Sequence, residues 1–213
     1  MSNKNYHIPM PSFEPTSADL EWVKNNIVPK LMPALNTFKG AFERVDLLQD
    51  SFSDWPQRQA VVDHFDSLGL SVRRFSGFIG HKNQNTKTAH LDAFVRGIPC
   101  VARFNIPYFG RSPVKLEWWN DGVDSDKIKE RVFTELRYGQ PRIAYSYKST
   151  IDDWGTDSAF AIDDPGPCWN RTELAHRVQG PDCSVNRIQI TVEVKDQIPW
   201  TELVARLERL GYC

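Results

Sequence analysis

The triplet His90-Leu91-Asp92 sets an imidazole and a carboxylate two positions apart. Side chains alternate between the faces of an extended strand, so positions i and i+2 look the same way and both groups can reach one metal ion. By itself the triplet is a weak signal, because a chain of 213 residues with ordinary composition meets it by chance. A third donor strengthens it. His176, in the strand-like run Leu174-Ala175-His176-Arg177-Val178, lies 86 positions beyond His90 and can supply a second imidazole. Two imidazoles and one carboxylate on one face of an octahedral ion leave the opposite face open for exogenous ligands. Zinc also accepts two histidines and a carboxylate, so donor type alone leaves the metal open.

Eleven positions after His176 stands Arg187, in Ser184-Val185-Asn186-Arg187-Ile188-Gln189-Ile190-Thr191-Val192. Alternation puts Ile188, Ile190, Val192 and Val194 on one face, packed under helices, and turns Arg187, Gln189 and Thr191 the other way, toward a barrel interior. An inward guanidinium is costly unless it meets an anion, and its planar fork matches a carboxylate.

These residues need a β scaffold to bring them together. A first helical pattern, capped by Thr16 or Ser17, carries Leu20, Val23, Ile27, Leu31 and Leu35 at three-to-four spacing, with Pro29 and Pro33 set to kink or break it. A second runs from about Pro56 to Leu68, with Asp54 as cap and Gly69 as its left-handed stop. From Leu70 onward, short β-branched and aromatic runs between Gly, Pro, Asn and Asp clusters predict strands near 70–79, 88–95, 100–106, 114–119, 142–148, 172–178 and 185–194. Asp124 to Arg137, with Ile128, Val132, Phe133 and Leu136 on one side, reads as a helical insertion. Trp200, Leu203, Val204, Leu207 and Leu210 make a closing amphipathic helix ending at Gly211. The expectation is one domain over 1–213. It has a helical part at about 16–69, a core at about 70–195 and a C-terminal helix at about 199–211, and its class is mainly β with flanking helices, a sandwich or jelly roll.

Composition narrows the function classes. Lys plus Arg total 26 against 27 for Asp plus Glu, a net charge of −1, so bulk charge offers no strong nucleic-acid signal. At 40% hydrophobic and 25% charged residues the chain lies outside the disordered regime. No apolar run reaches the roughly 18 residues of a membrane helix. The start, Met1 to Tyr6 followed by Pro9, Pro11 and Pro15, does not look like a secretory signal, and the expected location is cytoplasmic. Cys100, Cys168, Cys183 and Cys213 form no CxxC pair and read as free thiols.

With His90, Asp92, His176 and Arg187 in this order and spacing, the sequence resembles the 2-oxoglutarate and Fe(II)-dependent oxygenases. Their pattern is HxD, a distal His and a basic residue about ten positions later. The run Ala102-Arg103-Phe104-Asn105-Ile106-Pro107 resembles an Asn-Ile-Pro segment of some small members, and the likeness spans about Phe78 to Val194. It implies a double-stranded β-helix, a cupin-like jelly roll, with His90, Asp92 and His176 ligating Fe(II). It also implies Arg187 pairing with the distal carboxylate of 2-oxoglutarate, and hydroxylation of a C–H bond with release of succinate and CO2. Gln189 stands where many members carry Ser or Thr two residues after the basic position. Asn105, Arg103 and Trp118 are candidates for the other end of the cosubstrate. The substrate is open among a protein side chain, a small metabolite and a nucleobase. Two other readings use the same residues: a non-catalytic jelly-roll ligand-binding module, and a cupin-like enzyme with a different metal.

Other conspicuous residues take ordinary roles. His7 and His64 read as structural or exposed, and His81 as part of a polar loop. Trp118 is expected to face the core, and Arg73-Arg74 to be solvated. The acidic stretch 151–157 and Asp163 to Pro167 are long connections near the proposed site, suited to a rim or to plain surface.

Overall fold

The computed structural model describes residues 3–31, 42–45, 52–80, 89–95, 98–110, 113–137, 140–149, 158–179 and 187–213. Fourteen strands among them form two six-stranded sheets and a small two-stranded one, and the ladders between these strands run antiparallel. The first sheet has the order β1 (His7–Pro9), β12 (Cys168–Arg171), β7 (Ala102–Phe109), β14 (Arg187–Val194), β3 (Val72–Gly80), β2 (Phe42–Val45). The second is β11 (Phe160–Asp163), β8 (Lys115–Trp118), β13 (His176–Gln179), β4 (His90–Leu91), β10 (Gln140–Ser149), β9 (Ile128–Arg137). β5 (Ala93–Val95) and β6 (Ile98–Pro99) pair with each other.

Eight of these strands define the architecture. β12-β7-β14-β3 face β11-β8-β13-β4, and the chain passes from sheet to sheet at β3 to β4, β7 to β8, β11 to β12, β12 to β13 and β13 to β14. That alternation is the double-stranded β-helix, a jelly roll.

Among the described residues three helices of ten residues each flank the strands: α1 (Ser17–Asn26), α2 (Arg58–Ser67) and α3 (Trp200–Arg209). α1 starts at a capping box in which the Thr16 hydroxyl accepts from the Asp19 N–H while the Asp19 carboxylate accepts from the Thr16 N–H. It yields at Ile27, two residues before Pro29, and helix resumes over 28–31. α2 begins at Gln57 without a side-chain cap, so Asp54 does not take the capping role expected of it. Gly69 and Gly211 close α2 and α3 at φ +64° and +78°, a region where a Cβ is strained.

The helices cover the outer face of the first sheet. Val61 and Phe65 of α2 and Leu203 and Leu207 of α3 pack on Phe104, Ile106, Trp169, Ile188, Ile190, Val192 and Val194. Each fully buried side chain of this size contributes roughly 1.5–3 kcal/mol through area removed from water. This leaves the alternate residues of β7, β12 and β14 directed between the sheets.

The segment expected to be a helical insertion, Asp124 to Arg137, is instead strand β9, matched residue for residue with β10 from Ile128↔Ser149 to Arg137↔Gln140. The spacing was ambiguous: 128, 132 and 136 share a helix face, but as even positions they also share a strand face. Val132, Phe133 and Thr134 favour the strand, and a ten-residue partner decides it. The predicted strand at 172–178 is shorter, since β12 ends at Arg171 and β13 opens at His176. Strands β1, β2, β6, β11 and β12 lie outside the predicted set. Cys100, Cys168 and Cys213 are free thiols, while Cys183 lies outside the described residues. Among the described residues, no helix is long and apolar enough to cross a membrane.

Candidate metal centre

β4 lies between β13 and β10, and the register sets His90 opposite both His176 and Lys148. His176 is also opposite Trp118 of β8. Residues paired across a ladder present side chains on one face, so both imidazoles enter the space between the sheets. Their ring centroids are 4.5 Å apart. Asp92, just past the end of β4, donates its N–H to Thr172 O and accepts from the Cys100 N–H, which fixes its backbone.

Asp92 Oδ1 lies 3.8 Å from His90 Nε2, and one donor atom from each of His90, Asp92 and His176 falls within 4.8 Å of the others. A separation of 3.8 Å is too long for a hydrogen bond. Donors bonded at about 2.0–2.2 Å to one ion stand roughly 3–4.4 Å apart, so this set surrounds a space of nearly cation size. His176 Nδ1 is 2.9 Å from Leu174 O. A carbonyl only accepts, so this bond places the proton on Nδ1 and leaves the Nε2 lone pair available for coordination.

The second Asp92 oxygen is engaged elsewhere. Oδ2 sits 2.6 Å from Arg103 Nε, and Arg103 Nη1 reaches Glu193 Oε1 at 2.9 Å. Among the described residues Arg103 Nε has no partner in hydrogen-bond geometry, so its contact with Asp92 is a close ion pair rather than a linear hydrogen bond. Arg74 closes the array on Glu193 with a two-pronged contact, Nε to Oε2 at 2.5 Å and Nη2 to Oε1 at 2.8 Å. Arg103 and Glu193 are both buried. Burial pulls the Arg103 pKa down, but Asp92 and Glu193 more than offset this and hold it above the ordinary value. The guanidinium stays charged.

Further along the inner face of β14, the Gln189 amide donates to Thr191 Oγ1 at 3.1 Å and the Thr191 hydroxyl donates to Asn105 Oδ1 at 2.8 Å. The barrel interior therefore carries a polar row on β7 and β14, opposite in character to the helix-covered side.

The structure brings His90, Asp92 and His176 together. Arg187 opens β14, paired with Gly80, on the same face as Gln189, Thr191 and Glu193. It is six residues from Glu193, roughly 20 Å along the strand at about 3.3 Å per residue. It thus belongs to the inward row but at the end away from the Arg103–Glu193 pair. The three candidates for the cosubstrate's other end have protein partners: Arg103 as above, Asn105 with Thr191, and Trp118 through its indole N–H to Arg171 O at 2.9 Å. Arg74, expected to be solvated, instead grips buried Glu193. Sequence reasoning passed over Glu193, although the alternation that turns Gln189 and Thr191 inward turns it inward as well. His81 and 151–157 lie outside the described residues.

No family model and no curated protein sequence matches the chain. Among solved structures it is similar to HygX from Streptomyces hygroscopicus, determined with nickel and 2-oxoglutarate bound. The match has a TM-score of 0.47 and 11% identity, over 87% of this chain and 80% of that one.

Proposed function

We propose that the protein is a non-haem Fe(II) and 2-oxoglutarate-dependent dioxygenase that hydroxylates a C–H bond. The observation that carries this reading is the convergence of His90, Asp92 and His176 on one inner face of a jelly roll. Two imidazoles and a carboxylate grouped on one side form the donor set of non-haem Fe(II) oxygenases and leave adjacent positions for exogenous ligands. When bound, the iron with 2-oxoglutarate supplies a two-electron oxidation in which O2 is split, one oxygen atom going into succinate as CO2 leaves and the other into the substrate C–H bond.

The chain's own residues hold the donors in place. Leu174 O selects, within the neutral His176 ring, the tautomer that carries its proton on Nδ1 and turns Nε2 to the site. The ladders on both sides of β4 fix the direction of His90. Trp118, fully buried and tied to Arg171 O, is the β8 partner of His176 and lies on the same face, an apolar neighbour on that side of the site. Arg187 is kept for the distal carboxylate of 2-oxoglutarate because its cationic fork suits one; since roughly 20 Å of strand separates it from Glu193, Arg187→Ala tests this part separately, a 2-oxoglutarate affinity equal to that of the unsubstituted protein removing the assignment.

The test is anaerobic titration of the purified apo-protein with Fe(II) and 2-oxoglutarate. A visible charge-transfer band of the chelate is expected in the unsubstituted protein and should be lost in His176→Ala. Absence of the band from folded protein, or its full retention in His176→Ala, overturns the reading. A succinate-release screen over peptides, small metabolites and nucleobase substrates then assigns the substrate class.

A further inference from the structure

The geometry points to Arg103 as a positioning residue that holds Asp92 in a one-oxygen mode of coordination, with Glu193 and Arg74 fixing Arg103 in turn. This inference rests on the metal-centre reading above and extends it to residues that touch no ligand.

Asp92 is split between two neighbours. Oδ1 faces the imidazole of His90, while Oδ2 faces the Arg103 guanidinium at 2.6 Å. A carboxylate with both oxygens free can chelate an ion through both, or rotate about its Cβ–Cγ bond. Electrostatic pairing of Oδ2 opposes both motions, because either one draws the half-buried carboxylate away from a buried guanidinium. Arg103 is itself held: its Nη1 meets Glu193 Oε1 at 2.9 Å, and Arg74 grips both Glu193 oxygens. Arg73 Nη1 adds a looser contact to Glu193 at 3.9 Å. The register locks the array, since Glu193 is the Cα partner of both Arg103 on β7 and Arg74 on β3. Three adjacent strands thus transmit one orientation to Asp92.

The consequence for coordination is a count of sites. Three single-atom protein donors leave three positions of an octahedral ion, and an Asp92 bound through both oxygens would take one of them. Arg103 thereby keeps the third exogenous position available. With Glu193 and Arg74 neutralising one another, Arg103 also offsets the charge of Asp92, so the cavity favours an anionic ligand once a dication is bound.

Cobalt(II) binding to the full-length apo-protein tests this without turnover, with the dissociation constant from calorimetry and the visible bands as signature. Arg103→Gln is expected to weaken Co(II) binding about ten-fold or more and to shift the visible bands, while Arg103→Lys falls between it and the unsubstituted protein. Circular dichroism and melting of each variant without metal verify the fold. Should Arg103→Gln fail to fold, Arg103→Lys carries the comparison, with an expected loss of roughly three-fold in affinity. A folded variant with unchanged affinity and unchanged bands overturns the inference. The failure of the underlying reading looks different: Co(II) binding would then survive His176→Ala, whereas loss in His176→Ala with no change in the Arg103 variants removes only the positioning role.

Discussion

His7 is a buried imidazole with no hydrogen-bond partner on either ring nitrogen among the described residues, 2% exposed and 6.1 Å from the Trp118 ring centroid. Burial lowers its pKa from 6.5 to about 4, so the fold holds it neutral. Stability from this group is complete above pH 6.5 and is lost as pH falls toward 4, because the unfolded chain takes up a proton there that the folded protein refuses. Between pH 8 and pH 5 the unfolded chain binds nearly a full proton at this site and the folded protein about a tenth of one. Integrated over that interval, the loss is about 2 kcal/mol at about 1.36 kcal/mol per pKa unit. His64, also lowered to about 4 by burial, acts in the same direction. In His7→Phe the drop in unfolding free energy from pH 8 to pH 5, measured by urea denaturation, is expected to be about 2 kcal/mol smaller than in the unsubstituted protein. Comparing each protein with itself at two pH values cancels any packing cost of the phenyl ring. An equal drop in both proteins would refute the assignment of a buried neutral imidazole at this position.

Two further expectations concern stability. Arg177 and Glu117 form a buried ion pair at 2.6 Å, with Arg177 also over the Trp119 ring, so Arg177→Met strands a buried carboxylate. Lys115, 3.4 Å from Glu117, compensates in part, and the expected cost is about 3 kcal/mol by urea denaturation, mostly recovered in Arg177→Met with Glu117→Leu. Thr16→Ala removes the capping box of α1 and should cost about 1 kcal/mol in the same assay.

The parts of the fold legible in the sequence are those where one local signal pointed one way. α2 and α3 have apolar stripes and glycine stops, and the inward and outward faces of β14 follow from strict alternation over Ile188 to Val194. The meeting of His90, Asp92 and His176 was legible because extended backbone turns positions two apart the same way, even with Asp92 just past the end of β4, and because the distal His lies on another strand-like run. β9 was misread because its apolar positions satisfy both periods, and only the ladder to β10 resolves the choice. β1, β11 and β12 are three or four residues long, too short for alternation to register. The Arg103–Glu193–Arg74 array was hidden for another reason. Its members are far apart in sequence, and a charged residue in an alternating strand reads as solvent-facing unless both faces are known to be buried.

Both faces of the first sheet are indeed enclosed, and they do different work. The outer face, with Phe104, Ile106, Trp169 and the Ile and Val residues of β14, binds α2 and α3 and supplies most of the apolar burial. The inner face carries Arg103, Asn105, Asn170, Gln189, Thr191 and Glu193, all polar and mostly buried. Stability does not explain that second choice, since a buried ion pair loses much of its Coulomb gain to desolvation and a well-packed apolar pair of similar volume often serves as well. What the charged array delivers that an apolar one does not is direction. Arg103 can orient a carboxylate only by being charged, fixed and adjacent to it, and it meets all three conditions at Asp92. With helices stabilising the outside of the sheet, the inside is free to carry groups chosen for where they point, and this links the fold to the candidate metal site.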